Sequence, residues 1–255
     1  MNLTDNFFVS AYESGSRQSN LPLWGNRSKD PFHIATAHSA DVIRKDMDKV
    51  TGAFQLLNVI NAEACQQLIN VTEELGYTED AAVSLGRNVR HNMNLNWIVD
   101  EESEKAIWNK ASGKFSANNQ HFMKRKPLGL NQRFRFYKYE QGDFFNFHHD
   151  GAWPGSKIIN DSPIADAYGD RQSLFTFLLF LNDDYQGGET LFVVNDTNTA
   201  SPKASSSGEV VSVRTPKCAA LCFPHGSHPE HCLHGSQVIS QGVKYIIRTD
   251  VLFTL

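Results

Sequence analysis

A mainly β fold with flanking helices (α+β), arranged as a sandwich or jelly roll, is predicted by three features of the sequence. Strand-like segments crowd the chain from about residue 131 onward. Turn signals such as the Gly187-Gly188 pair separate them. Both helical patterns come earlier, so the helices should form an N-terminal layer on one side of the sheet rather than alternate with strands. The 255 residues suit one large domain, or one domain with an attached helical layer.

Residues 1–50 scatter Gly, Ser, Asn and Pro without an apolar period and read as an irregular N-terminal arm. Residues 51–130 read as a helical support layer of the same domain. Within it, the apolar run 53–60 predicts a short strand. Asn61 then caps a helix that carries Ala64, Leu68, Ile69 and Leu75 on one side and stops at Gly76. A second helix is expected from Glu101 to about residue 112, with Ala106, Ile107, Trp108 and Ala111 as its modest apolar contribution. Residues 131–255 read as the β core. Arg133–Tyr139 alternates, as a strand with two different faces does. The run 173–181 is apolar at consecutive positions, which predicts burial on both faces. Thr190–Val194, Glu209–Val213, 219–223 and 244–253 complete the strands, and the Ser/Thr/Asn/Ala-rich stretch 195–208 is expected as a loop between them.

Hydrophobic residues make up 40 % and charged residues 20 %, as in an ordinary folded protein, and the net charge of -4 gives no reason to expect a nucleic-acid partner. No apolar run approaches membrane-spanning length, so no membrane association is expected. Residues 1–24 lack the basic start and apolar core of a secretory signal. The four cysteines (Cys65, Cys218, Cys222, Cys232) form no C-x-x-C pair, which favours a reduced, intracellular and cytoplasmic setting. No feature of the sequence sets an oligomeric state.

The chemistry concentrates in residues 139–150, Y-E-Q-G-D-F-F-N-F-H-H-D. His148 and Asp150 stand two apart after a strand-like run, and such residues point the same way. An imidazole and a carboxylate aimed at one point supply two members of a two-His-one-carboxylate site, which grips ferrous iron on one face and leaves the other open for oxygen chemistry. The third ligand must come from far along the chain, and the second histidine cluster, His225, His228, His231 or His234, can supply it. His149 lies between two inward residues and should point outward. Zinc is the rival reading, because Cys218, Cys222 and Cys232 lie among the same histidines and zinc favours such donors. Cys218 and Cys222 fall in a predicted apolar strand, however, where cysteine behaves as a small hydrophobe.

Four motifs then occur in order: Y-x-x-G-x-x-F-x-x-H-x-D (Tyr139, Gly142, Phe145, His148, Asp150), L-N-D-D-Y-Q-G-G-E-T (181–190), P-K-C-A-A-L-C-F (216–223) and H-x-x-x-x-V-x-x-G-x-K beginning at His234. On these motifs the chain resembles the iron(II)- and 2-oxoglutarate-dependent dioxygenases of the prolyl 4-hydroxylase-like group. The resemblance implies a double-stranded β-helix, a form of jelly roll, over 131–255. It implies His148, Asp150 and His234 as iron ligands, since His234 has Val238, Gly242 and Lys244 at the family's offsets. It also implies 2-oxoglutarate as cosubstrate, with O2 consumed and ascorbate as an auxiliary reductant. Lys244 matches the family's cation for the far carboxylate of 2-oxoglutarate, and Tyr139 and Thr176 match its hydroxyl positions. Arg248 shares a face with Lys244 and is the alternative cation. The implied reaction hydroxylates a substrate C–H bond, with 2-oxoglutarate decarboxylated to succinate and CO2. The implied substrate is a peptidyl proline, with another peptide, a protein or a small molecule as alternatives. If Tyr139 faces inward, so should Arg135 and Arg133. Burying two arginines is costly without anions, so one of them is expected to line the substrate mouth and favour an acidic group. The arm and the 195–208 loop are the candidate lids.

Overall fold

The computed structural model describes residues 3–36, 40–82, 85–115, 120–194 and 208–255. Strands β1 (Phe7–Glu13), β2 (Leu21–Asn26), β3 (Ile43–Asp46) and β4 (Phe54–Leu57) precede helix α1 (Ala62–Leu75). Strands β5 (Arg90–His91) and β6 (Met93–Ile98) precede helix α2 (Glu101–Ala111). The remainder is β: β7 (Pro127–Leu130), β8 (Arg133–Tyr139), β9 (Phe144–His148), β10 (Lys157–Ile159), β11 (Ser162–Ile164), β12 (Arg171–Phe180) and β13 (Gln186–Gly187) come first. They are followed by β14 (Thr190–Val194), β15 (Glu209–Val213), β16 (Ala220–Pro224), β17 (Leu233–Ser236), β18 (Ile239–Gln241) and β19 (Lys244–Thr254).

A ten-stranded sheet runs β1-β2-β6-β8-β19-β12-β16-β4-β3, with β7 also paired to β19. A five-stranded sheet runs β15-β14-β17-β9-β5. Apolar side chains from both sheets, among them Tyr139, Phe180 and Ile246 from the larger and Phe192 and Val213 from the smaller, pack into one buried cluster. Two sheets with a shared apolar interior make the expected jelly roll. No helix among the described residues is long and apolar enough to cross a membrane.

The helices cover the other face of the larger sheet. Ala64, Cys65, Leu68 and Val71 of α1 and Ala106, Ile107 and Ala111 of α2 join Phe136, Phe175, Phe177 and Ile247 in a second buried cluster. Both helices start where the sequence supplies an acceptor. Asn61 accepts from the Ala64 N–H, and Asp100 accepts from the N–H groups of Glu102 and Ser103. With helices on one side and the smaller sheet on the other, β8, β12 and β19 are covered on both faces, so period two sorts their residues. Phe134 and Phe136 face the helices, while Tyr137 and Tyr139 face the interior.

The N-terminal region differs from its expectation. β1 and β2 lie in the span read as an irregular arm, and they extend the large sheet through β6. Phe7 of β1 packs edge-on against Trp97 of β6 at 4.9 Å between ring centres, and Phe32 does so at 5.8 Å. This cluster, with Trp97 only 1 % exposed, supplies the apolar anchor that the flanking polar residues mask in sequence. Residues 195–207 of the expected loop lie outside the described residues.

Candidate metal centre and cosubstrate pocket

The interior row of β8 and β19 opens into a cavity of about 230 Å³. His148, Asp150, His234, Lys244, Tyr139 and Arg248 all line it. His148 ends β9 and is the direct antiparallel partner of His234 on β17. Asp150 follows two residues beyond the strand. The approach is close because position 235 is glycine, where a Cβ would meet the Phe145 carbonyl oxygen at 2.7 Å. One ligand atom from each of His148, Asp150 and His234 lies within 4.8 Å of the other two.

The hydrogen bonds settle which imidazole nitrogens are free. His148 Nδ1 lies 2.8 Å from the Asn146 carbonyl oxygen, and His234 Nδ1 lies 3.2 Å from that of Cys232. A carbonyl can only accept, so both Nδ1 atoms carry a proton, and each ring turns its Nε2 toward Asp150. Burial pushes the His234 imidazole down to about 3, against the pull of Asp150, so this ring is neutral. Its Nε2 nevertheless lies 3.5 Å from Asp150 Oδ2, and His148 Nε2 lies 3.6 Å from Oδ1. The bare His234 Nε2 facing a carboxylate oxygen across such a gap is repulsive unless a cation sits between them. The donor set therefore fits a divalent metal, with both Nδ1 contacts fixing the ring orientation.

Asp150 is itself held. Thr176 Oγ1 donates to Asp150 Oδ2 at 2.7 Å and sits 2.7 Å from His225 Nδ1. His225 Nε2 sits 2.8 Å from Ser173 Oγ. Since the threonine proton is committed to the carboxylate, Thr176 accepts from His225 Nδ1–H, and His225 Nε2 accepts from Ser173. Arg248 Nε lies 3.4 Å from Asp150 Oδ2, and Arg248 Nη2 donates to Asp250 Oδ1 at 3.1 Å. Against its burial, the Arg248 guanidinium and the neighbouring imidazoles hold the Asp150 carboxyl well below the usual carboxylate range.

Lys244 reaches the cavity from the other end of the β19 row. It is 1 % exposed, and its Nζ donates to the Gly188 carbonyl at 2.6 Å and to Ser236 Oγ at 3.0 Å. The Gly187-Gly188 turn takes φ of 73° and 70°, the left-handed region that glycine tolerates. Tyr139 is the direct cross-strand neighbour of Lys244, with the amine 5.1 Å from its ring centre. Burial lowers the Lys244 amine to about 7.

Six of the seven residues singled out from the sequence thus line one cavity. Thr176 is the seventh and does not line it. Its hydroxyl is turned to Asp150 instead, because β12 runs beneath the loop that carries the carboxylate. His149 does not turn away from the site as alternation predicts. The strand ends at His148, and His149 lies at the cavity wall with its ring 4.5 Å from that of His231. The zinc donors do not converge. Cys218 Sγ lies 3.4 Å from Cys65 Sγ, Cys222 is buried in β16, and His228 Nε2 donates to the His121 carbonyl. Among the described residues, His148, Asp150 and His234 form the one cluster of three or more potential ligands. The orienting roles of Ser173 and His225 escape the motifs. His225 belongs to the histidine cluster, but its partners come from β12, and only the strand register brings them together.

Several solved structures are similar to this one. A prolyl-4-hydroxylase from Pseudomonas putida superposes with a TM-score of 0.51 at 14 % identity, over 80 % of this chain and 93 % of its own. A prolyl hydroxylase from Trichoplax adhaerens, in complex with a hypoxia inducible factor oxygen degradation domain peptide fragment, gives 0.51 at 17 % identity, over 80 % and 83 %. The chain shares the fold of these structures. No family model and no curated protein sequence matches it, so the likeness lies in the shared double-stranded β-helix and not in overall sequence.

Proposed function

We propose that the chain is an iron(II)- and 2-oxoglutarate-dependent dioxygenase of the prolyl 4-hydroxylase-like kind. The observation that carries this reading is the convergence of two imidazoles and a carboxylate in the same cavity as a buried lysine amine. In the proposed reaction, one oxygen atom of O2 enters the substrate as hydroxyl. The other enters succinate as 2-oxoglutarate loses CO2. Bound iron would supply the activation of O2.

The residues divide the remaining work. His148 and His234 would hold the iron through Nε2, and Asp150 would hold it through its carboxylate. Thr176 and Arg248 keep Asp150 charged and oriented. Lys244 meets the distal carboxylate of 2-oxoglutarate as an ammonium ion, with Tyr139 beside it. Arg248 already neutralises Asp150 and Asp250 and is therefore the less suited of the two cations. The apolar walls (Leu178, Phe145, Ile246) keep water from the reacting centre. The peptide bound by the T. adhaerens protein supports a peptide substrate here, and a peptidyl proline is the first to examine. The auxiliary reductant in this reading is ascorbate, as the motif resemblance implies. The four cysteines are unbridged, in keeping with a cytoplasmic setting.

Anaerobic titration of the protein with iron(II) and 2-oxoglutarate tests the reading. A metal-to-ligand absorption band from the chelate is expected, and its loss in each of His148→Ala, Asp150→Ala and His234→Ala. Tightly held zinc with no 2-oxoglutarate consumption would instead indicate a binding module without turnover.

A further inference from the structure

The cavity has a second cationic end. Along β8 and β19 the paired interior positions are Tyr139/Lys244, Tyr137/Ile246 and Arg135/Arg248. At ~3.3 Å per residue, the first and third pairs lie roughly 13 Å apart, farther than a five-carbon diacid reaches. Arg135 is 5 % exposed and lines the cavity, with its guanidinium 4.9 Å from the ring centre of Trp153. Its Nη1 donates to Asp250 Oδ2 at 3.3 Å, and its Nη2 is buried with no hydrogen-bond partner among the described residues.

The local charges do not close. Asp250 serves both Arg135 and Arg248. The other carboxylate at this end, Asp150, belongs to the metal trio. Arg133 does not share the deficit, because it forks onto both carboxylate oxygens of Glu13, at 2.7 and 2.6 Å. A guanidinium cannot shed its charge, and a buried N–H without an acceptor is costly. A planar carboxylate matches a guanidinium edge laid over an aromatic ring.

Resting on the dioxygenase reading, we propose that Arg135, backed by Trp153, binds a carboxylate of the substrate at the end of the cavity opposite Lys244. The substrate is therefore a carboxylic acid, either a free amino acid or a peptide that brings an acidic group close to the hydroxylated carbon.

The test measures 2-oxoglutarate-dependent succinate release by the iron-loaded protein. The probes are free L-amino acids and peptides containing Asp, Glu or a free C-terminus, each compared with its carboxamide, plus a capped prolyl peptide without any carboxylate. Stimulation by an acid and not by its amide is expected. Arg135→Gln should raise KM for that acid ~10- to 100-fold, and Arg135→Lys should restore part of the loss. The chelate band of Arg135→Gln should titrate with 2-oxoglutarate at the wild-type midpoint, whereas Lys244→Met shifts that midpoint. Should Arg135→Gln fail to fold, Trp153→Leu and Arg135→Lys make the same comparison. The inference is overturned if amides or the capped peptide serve as well as acids, or if no acid stimulates turnover. It is also overturned if Arg135→Gln shifts the 2-oxoglutarate midpoint as Lys244→Met does, which would give the subsite to the cosubstrate. Failure of the wild-type protein to form the chelate band rejects the dioxygenase reading itself, and this inference with it.

Discussion

At the scale of single residues, the grouping of His148, Asp150 and His234 was legible in the sequence, whereas Thr176 and Arg248 were expected at the cosubstrate carboxylate and contact Asp150 instead. His148 and Asp150 announce themselves by spacing, and His234 by its offsets to Val238, Gly242 and Lys244. Thr176 carries no such mark, because its role depends on where β12 crosses the loop after β9. Its hydroxyl nevertheless donates to Asp150 Oδ2 at 2.7 Å. Thr176→Val keeps the shape and removes that donor. It should weaken metal affinity by about 10- to 100-fold, as loss of a group that orients a ligand does, measured by competition with a chelator. Lys244 gives a pH signature. Its amine sits near 7 through burial, so above that pH it is neutral in the free protein and must gain a proton to meet a carboxylate. Affinity for 2-oxoglutarate should fall as pH rises through about 7, and binding at pH 8 should take up protons. Calorimetry in two buffers of different ionisation enthalpy measures the uptake, and Lys244→Met should abolish it.

At the scale of elements, strong local signals fixed boundaries well. α1 starts and stops at Asn61 and Gly76, and β8, β14 and β15 occupy the expected residues. β6 was missed although M-N-L-N-W-I alternates as a strand does, because asparagine is a poor strand former and Asn94 is buried in spite of its polarity. β1 and β2 were masked by Ser, Pro and Gly. Pro22 precedes the part of β2 that pairs with β6, which begins at Leu23, so it interrupts no rung of that ladder. The cap of α2 also ties the N-terminal strands to the helix, since Asp100 accepts from Asn26 Nδ2 and from the Asp30 N–H besides its own first turn. Asp100→Ala should therefore cost ~2 kcal/mol, the upper end for a lost N-cap, read from the urea midpoint. Gly235→Ala should force β17 away from β9, because its new methyl meets backbone at 2.7 Å. Loss of the chelate band with far-ultraviolet circular dichroism retained would mark that separation.

At the scale of the whole molecule, the helices before the strands predicted a one-sided helical layer, and α1 and α2 do share one face of the large sheet. The buried Glu104 joins that layer to the sheet by accepting from the Leu130 N–H at 2.6 Å. Burial raises its carboxyl to about 7. A raised folded value favours the protonated form, so this contribution to stability is complete below the ordinary carboxyl value and is lost as pH rises through about 7. Its size is on the order of 3 kcal/mol. Glu104→Gln keeps an acceptor for Leu130 and should flatten the decline, leaving the variant more stable than wild type at pH 8 but not at pH 4, by denaturant titration at both. The distribution of ligands along the chain has a last consequence. His148 and Asp150 are synthesised long before His234, and the strand pairing that joins them requires both halves of the core. A nascent polypeptide on the ribosome consequently has no three-point grip on a redox-active ion. On the dioxygenase reading, iron loading would wait until the two sheets have paired, which would spare immature chains the radical damage that loosely held iron inflicts.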